Sequence, residues 1–175
     1  MKKVIGILVV AVIVAVFVLP AYAAGRLGNP PDDGFRGHAW KSSPEELGIE
    51  VIEVKPMHLY VGALDDEKLS IGEAELTGIV YTFYNDELFN VRINYDGTVN
   101  HFKLLEAFEA HHSKAYQENK YIKEYSWRTF SGKYTLFMKY DQFEKKGYAF
   151  YDYKPVRKQY NKAMKKLAKE ASRDF

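Results

Sequence analysis

Two strand-like runs, the first largely apolar and the second alternating apolar with polar residues, constrain the fold of this chain more than any other feature, and a two-residue turn separates them. Residues 75–84 form the first run, residues 87–95 form the second, and Asn85 and Asp86 lie between them. Alternation over such lengths is typical of β-strands, and an Asn-Asp pair suits a tight hairpin turn. Consecutive strands joined by a tight turn are antiparallel. The sequence therefore predicts an antiparallel sheet.

The second run divides its side chains between two faces. Successive side chains of a strand point in opposite directions, so every second residue shares a face. The apolar set of this run is Phe89, Val91, Ile93 and Tyr95, and it alternates with Asn90, Arg92 and Asn94. We expect the apolar set to lie in the core.

Shorter strands are expected before and after this hairpin. Residues 50–55 and 58–63 precede it, and residues 121–129, 133–140 and 148–153 follow it. Residues 145–147 form the expected loop before the last of these strands, and Gly147 is expected to hold its left-handed position.

Three helices are predicted from capping residues and apolar spacing. Ser43 and Glu46 form a capping box for a helix of one or two turns that ends at Gly48. Thr98 is expected to cap a helix that runs to about Lys114. The last helix opens at Pro155, the first helical position that proline tolerates, and its apolar residues recur every three or four positions: Val156, Tyr160, Ala163, Leu167 and Ala171.

The order of these elements defines the fold class. We expect an α+β domain with an antiparallel sheet of about six strands and helices packed on one face. A helix followed by a β-meander occurs twice in this order, and a basic C-terminal helix at about 155–172 completes the chain.

The first residues resemble a secretory signal. Lys2 and Lys3 precede an apolar run at residues 4–19, and Ala21 and Ala23 stand at the two positions that a signal peptidase reads. We therefore predict a signal peptide at 1–23, a flexible lead-in at 24–34, and one domain at 35–175. The expected location is periplasmic or secreted. The alternative is that the apolar run is retained as a membrane anchor.

Composition excludes several classes of function. The chain has no cysteine, so disulfides, thiolate catalysis and cysteine metal sites are impossible. The whole chain has 25 basic and 23 acidic residues, and removal of Lys2 and Lys3 with the signal leaves equal numbers. A balanced charge does not favour a nucleic-acid partner.

No catalytic, cofactor-binding or metal-ligating residue is predicted. His111 and His112 lie beside Glu109, but adjacent helical residues point about 100° apart, so the two histidines do not easily share a metal. The acidic stretch at residues 65–67 lacks the spacing of a calcium loop. Motifs for nucleotide binding or nucleophilic hydrolysis are also missing from the sequence. An enzyme is therefore not favoured.

Two rows of aromatic residues are candidates for a binding patch. Tyr121, Tyr125 and Trp127 share one side of an expected strand, and Tyr151 and Tyr153 share one side of another. If either row faces solvent, it can bind a peptide, a glycan or a protein. The alternative is that both rows belong to the core.

The last 22 residues carry most of the positive charge. Residues 154–175 contain eight basic and two acidic residues, whereas residues 24–153 contain 15 basic and 21 acidic residues. One interpretation is a helix packed on the acidic domain with its lysines in water. The other is a basic amphipathic helix that contacts anionic lipid or an acidic partner.

The residues that open the expected domain resemble a known pattern. Phe35-Arg36-Gly37, with Trp40 after two further residues and the Ser42–Leu47 segment behind it, resembles the opening of a group of small exported bacterial proteins of unknown function. Further similarity lies at residues 69–72, 79–84 and 125–127. Lys41 and Glu73 depart from the pattern. The resemblance implies a fold and an envelope location, and it implies no activity.

Two classes of function remain open. The first is a non-catalytic envelope module that binds a protein or another macromolecule through the face or edge of its sheet. The second is a small enzyme or small-molecule binder with a pocket between sheet and helices. Convergent polar groups in a pocket would favour the second class, and an exposed aromatic face would favour the first. The sequence favours the first class.

Overall fold

The computed structural model describes residues 34–55, 57–128 and 132–172. The predicted signal peptide at 1–23 and nearly all of the predicted lead-in at 24–34 lie outside these residues. The described strands are β1 Gly34–Phe35, β2 His38–Ala39, β3 Val51–Val54, β4 Leu59–Gly62, β5 Ser70–Ile71, β6 Ala74–Glu75, β7 Gly78–Tyr84, β8 Glu87–Asp96, β9 Glu124–Arg128, β10 Tyr134–Asp141 and β11 Lys146–Tyr153. The described helices are α1 Thr98–His112 and α2 Lys154–Ala171.

Seven of these strands form one antiparallel sheet. Their order across the sheet is β3-β4-β7-β8-β11-β10-β9. The chain builds one half from the β3 edge inward through β4 and β7 to β8, and crosses through α1 to the opposite edge. It then builds β9, β10 and β11 back toward β8. The predicted α+β class, with an antiparallel sheet and a C-terminal helix, is confirmed. The pairs β1-β2 and β5-β6 are small separate hairpins.

The central hairpin has the turn that the sequence predicts, and it also contains a bulge. Asn85 and Asp86 have positive φ angles of 50° and 60°, and Tyr84 pairs with Glu87. The register then shifts between Thr82 and Phe83. Because a bulge reverses the alternation beyond it, Phe89 packs on the other side of the sheet from Val91, Ile93 and Tyr95. The prediction that all four side chains are buried is right, but placing Phe89 on the shared face was wrong.

Two local predictions about turns and caps also need correction. Gly97, not Thr98, is the N-cap of α1, and the Thr98 hydroxyl instead lies 2.8 Å from the Tyr140 hydroxyl. Gly147 lies within β11, and the positive φ of that turn belongs to Lys145. A side chain at Gly147 would collide with the ring of Tyr95, so this glycine is required by packing.

The predicted short helix near residue 43 is a hydrogen-bonded turn. The capping box is present, because the amide of Ser43 donates to the Glu46 carboxylate at 2.9 Å and the amide of Glu46 donates to the Ser43 hydroxyl at 3.2 Å. Gly48 ends the turn with a φ of 65°. Both hydrogen bonds of the capping box are therefore formed, although too few residues follow the box to propagate an α-helix.

The two helices lie on opposite faces of the sheet, and not on one face as expected from the sequence. Leu104 and Phe108 of α1 belong to the main core, together with Val91 and Ile93. Val156 and Tyr160 of α2 belong to a second cluster on the opposite face, whose buried members also include Leu59, Val61 and Phe89. The bulge that turns Phe89 toward α2 thus supplies part of the surface on which this helix packs.

Only the first half of α2 is anchored to the sheet. Its buried residues are Val156, Arg157 and Tyr160. The Arg157 guanidinium donates two hydrogen bonds to the Asp152 carboxylate, at 2.7 and 2.8 Å, and both side chains are buried. The predicted apolar stripe therefore packs at its beginning, whereas Leu167 is 38% exposed. Within the part of the chain that the structure describes, neither helix has the length and apolar character needed to cross a bilayer.

Candidate functional site

The aromatic residues predicted as a binding patch do not form a shared exposed surface. Tyr125, Trp127 and Tyr151 are 7%, 0% and 4% exposed, so they belong to the core. Tyr121 is 76% exposed but lies in the turn before β9 rather than on the strand. Tyr153 is half-buried, and its ring stacks on Trp40 with centroids 5.8 Å apart. Of the two alternatives, the structure favours the one that assigns these rows largely to the core, because this side of the sheet is covered by α1 and by the opening segment.

Trp127 illustrates how this face is closed. Its indole N–H donates to the Ser113 carbonyl at 2.9 Å, which ties β9 to the residue that follows α1. Its ring meets Phe108 edge to face at 5.8 Å. A buried indole needs a partner for its N–H, and here the end of the helix supplies one.

A cleft of about 810 Å³ opens on the face of the sheet that α1 covers, beside the second half of that helix. Its other walls are the β1-β2 hairpin and the segment from residue 64 to residue 72. The apolar part of its lining is Phe35, Leu64, Ile71, Ala107 and Phe108, and the polar part includes His38, Asp66, His111, His112 and Tyr151. This combination of apolar walls and a few polar groups is typical of ligand sites.

Arg36 holds the hairpin against the neighbouring wall. Its guanidinium is bound by the Glu67 carboxylate and donates to the carbonyls of Lys68 and Ser70. The second oxygen of Glu67 accepts a hydrogen bond from Tyr81 on β7 at 2.5 Å. Burial, reinforced by this bond to the Glu67 carboxylate, raises the pKa of Tyr81, so the phenol remains a donor. The hairpin, the loop and the sheet are thereby locked together.

The deepest polar groups of the cleft are His112 and Tyr151. His112 is the last residue of α1, and its Nε2 lies 2.8 Å from the Tyr151 hydroxyl. Both side chains are buried, at 3% and 4% exposure. Burial raises the pKa of Tyr151, so its hydroxyl stays protonated at neutral pH. The base of the cleft therefore presents a neutral phenol and not a phenolate.

The rim of the cleft carries exposed titratable groups. His111 is exposed, and its ring lies 4.6 Å from the ring of His112 at an angle of 72°. Asp66 is exposed on the facing loop. Among the residues that the structure describes, no three histidine or acidic side chains converge on a point where they could hold a metal ion.

A second hollow of about 600 Å³ lies elsewhere on the surface. It is lined by Glu118, Asn119, Lys120, Ile122 and Glu124, which all come from the loop before β9 and from the start of that strand. Four of these five side chains come from exposed loop positions and none is buried. This hollow lacks the buried polar groups that the cleft has.

The opening pattern of the domain is structural in large part. Phe35 packs against the rings of Tyr81 and Tyr151, at 6.2 and 5.4 Å. Arg36 and Gly37 have positive φ angles of 51° and 83° and form the turn between β1 and β2. The pattern thus builds one wall of the cleft, which accounts for its residue types.

The sequence predicts some residues of this cleft but not the cleft itself. The adjacent histidines of α1 stand out in the sequence as potential metal ligands, but Tyr151, the partner of His112, lies 39 residues away in the chain. The acidic stretch at 65–67 lacks calcium-loop spacing, and its Glu67 is instead engaged by Arg36 and Tyr81. No local pattern connects these segments.

Comparison with known proteins gives no family for this chain. No protein-family model, no curated protein and no solved structure matches it.

Proposed function

We propose that this domain is a non-catalytic binding module that holds a small molecule in the cleft between the β1-β2 hairpin and α1. The observation that carries the proposal is the buried His112–Tyr151 pair at the base of a cleft with apolar walls. Volumes of about 300–1,000 Å³ suit metabolite-sized ligands, and this cleft falls within that range.

The lining indicates the chemistry of the ligand. Phe35, Ile71 and Phe108 offer apolar contact area, which favours a ligand with an aromatic or aliphatic body. The Tyr151 hydroxyl, whose oxygen can accept a further hydrogen bond, favours a polar group at the inner end of that body. A ligand that uses both would be amphipathic and would enter with its polar end first.

A binding role is favoured over catalysis by the way the charged groups are used. Glu67 is held by Arg36 and Tyr81, so its carboxylate supports the wall instead of serving as a base. The Tyr151 phenol is kept protonated, which removes a second nucleophile or base. These constraints support recognition without bond-making.

An envelope location remains part of this proposal. The signal-like segment at 1–23 and the resemblance to small exported bacterial proteins support a periplasmic or secreted binder. In that setting the module would bind a small molecule outside the cytoplasm.

Blocking the cleft tests the proposal directly. Ala107 lines the cleft from α1, so Ala107→Trp should fill it, whereas Val99→Trp adds the same ring at a position of α1 that is 68% exposed. Saturation-transfer NMR with neutral, anionic and cationic single-ring aromatic fragments should detect binding to the natural chain and to Val99→Trp. Ala107→Trp should lose it.

A milder variant separates recognition from shape. Tyr151→Phe keeps the ring and removes the hydroxyl, so fragments with a polar end should bind at least several-fold more weakly, as expected for a lost hydrogen bond. Circular dichroism checks that each variant is folded. Equal fragment binding by folded Ala107→Trp and the natural chain would contradict the proposal.

A further inference from the structure

The last turns of α2, after Met164, extend beyond its contacts with the sheet. Of residues 161–171, only Ala163 and Met164 are half-buried, and the other nine are exposed. The anchoring contacts belong to the first three turns, through the buried Val156, Arg157 and Tyr160 and the half-buried Met164. A helix of eighteen residues is therefore held at one end only.

One side of this helix carries a row of lysines. Lys158, Lys162, Lys165 and Lys169 recur at spacings of three and four residues, so they project from the same side, and we call them the lysine face. The apolar stripe that begins with Val156 and Tyr160 lies on the other side, toward the sheet. The lysine face therefore points away from the body of the domain.

The lysine face is not neutralised by the domain. Among the ion pairs of the described residues, α2 beyond Tyr160 contributes only the contact from Lys166 to Glu170, 3.8 Å apart on the helix itself. Residues 24–153, in contrast, carry 21 acidic and 15 basic residues. The protein is thus electrically polar, with its positive charge concentrated on one projecting helix.

We propose that the lysine face binds the surface of bilayers that contain anionic phospholipids. The row is straight, because a helix rises 1.5 Å per residue and the four lysines span about 17 Å. Such a row can contact a planar surface at every position at once. Lysine suits this task because its ammonium is a compact point charge that needs no particular geometry from its partner. Binding is by adsorption onto headgroups, since the apolar stripe faces the opposite way.

A bilayer fits this surface better than another polyanion does. A planar surface meets only the lysine face and leaves the acidic body of the domain at a distance. A nucleic acid or an acidic protein that wrapped around the helix would also approach that body and be repelled by it. The lysine face also contains no aromatic side chain that could stack on a base. The inference is independent of the small-molecule cleft, which lies on the opposite face of the sheet.

Vesicle binding with matched charge variants tests the inference. Vesicles of phosphatidylcholine alone are compared with vesicles of phosphatidylcholine and phosphatidylglycerol. The protein is used as purified from the cells that express it, with no further processing. The test variant replaces the four residues of the lysine face by Gln. The control variant removes the same charge at exposed lysines elsewhere: Lys114, Lys120, Lys145 and Lys146.

The expected result is a large and salt-dependent loss of binding in the test variant. A lysine close to an anionic surface contributes about five-fold to the partition coefficient, so removal of four should lower it by on the order of 100-fold or more. The control variant should have a partition coefficient within about ten-fold of that of the natural chain. A higher salt concentration should weaken vesicle binding by the natural chain. Equal losses in both variants would overturn the inference.

A second readout reports the helix itself, because the cysteine-free chain allows unique labelling. Gln159→Cys and Val99→Cys, each carrying an environment-sensitive fluorophore, place a label beside the lysine face and on α1. Lipids with a quencher near the headgroup should quench the first label and spare the second. Quenching of both labels, or of neither, would refute contact through α2. Binding to duplex DNA or polyglutamate without binding to anionic vesicles would also overturn the inference.

Discussion

His101 should make the stability of this protein sensitive to mild acid. Its side chain is fully buried among aromatic rings, and its ring stacks on Tyr140 with centroids 4.6 Å apart. Tyr95 donates its hydroxyl proton to the Lys139 carbonyl at 3.1 Å, so the His101 Nδ1–H must donate to the Tyr95 oxygen at 3.0 Å. Among the described residues, the His101 Nε2 has no hydrogen-bond partner. A proton added there would be buried without compensation.

The sign and size of the effect follow from the pKa. Burial, with a smaller contribution from the charge of Lys123, lowers the pKa of His101 to about 4 from its ordinary value of 6.5. Between these values the unfolded chain binds a proton that the folded chain does not, so stability falls as the pH falls through this window. A difference of about 2.5 units corresponds to roughly 3 kcal/mol, reached when the pH is at or below about 4.

The substitution His101→Phe should remove this dependence. Near pH 7 the variant should be about 1 kcal/mol less stable, because the hydrogen bond to Tyr95 is lost. Near pH 4.5 the variant should be the more stable of the two proteins. At this pH the natural chain alone has lost roughly 2.5 kcal/mol of its stability through His101. Urea denaturation at both pH values measures the change. His58→Phe is the control, because the His58 side chain is 75% exposed. A stability difference between His101→Phe and the natural chain that stays constant with pH would refute the reasoning.

Three further predictions concern packing. Ile93→Ala should lower the free energy of unfolding by about 2–5 kcal/mol, because Ile93 is fully buried, and a loss below about 0.5 kcal/mol in urea denaturation would contradict its place in the core. Gly147→Ala should cost at least about 2 kcal/mol by the same assay, since its Cβ would lie 2.2 Å from the ring of Tyr95; an unchanged stability would show that the ring can move away. Truncation before Pro155 should lower the melting temperature far more than truncation after Met164, and similar effects of the two truncations would argue against anchoring by the first turns of α2.

The regular parts of the sheet could be predicted from the sequence because their signals are local. The turn at Asn85 and Asp86 follows from residue type, and the strands on both sides follow from alternation. Phe89 could not be placed, because a bulge depends on how two strands pair and not on either strand alone. The predicted fold class is still correct, since a bulge changes which face the residues beyond it occupy and leaves the topology intact.

The face of α1 shows the same limit in a helix. Phe102, Leu105 and Phe108 recur at three-residue spacing in this helix, whereas the structure buries His101, Leu104, Phe108 and His112. Phe102 is 51% exposed. A histidine in place of a hydrophobic residue weakens the periodic signal, so the orientation of this helix is set by the partners of His101 and His112 across the sheet. The cleft depends on those partners, which is why the sequence did not reveal it.

The pairing of β8 with β11 has a consequence for assembly. These two strands form the seam between the halves of the sheet, and their first paired residues, Asp96 and Lys146, are separated by α1, β9 and β10. Within each half, paired strands are neighbours in the chain or, for β4 and β7, are separated only by the β5-β6 hairpin, so each half can form before the seam closes. Two copies can therefore exchange their second halves, with the β11 of each chain pairing with the β8 of the other and every strand contact preserved. At high concentration during folding, such a domain-swapped dimer competes with the monomer through the same hydrogen bonds.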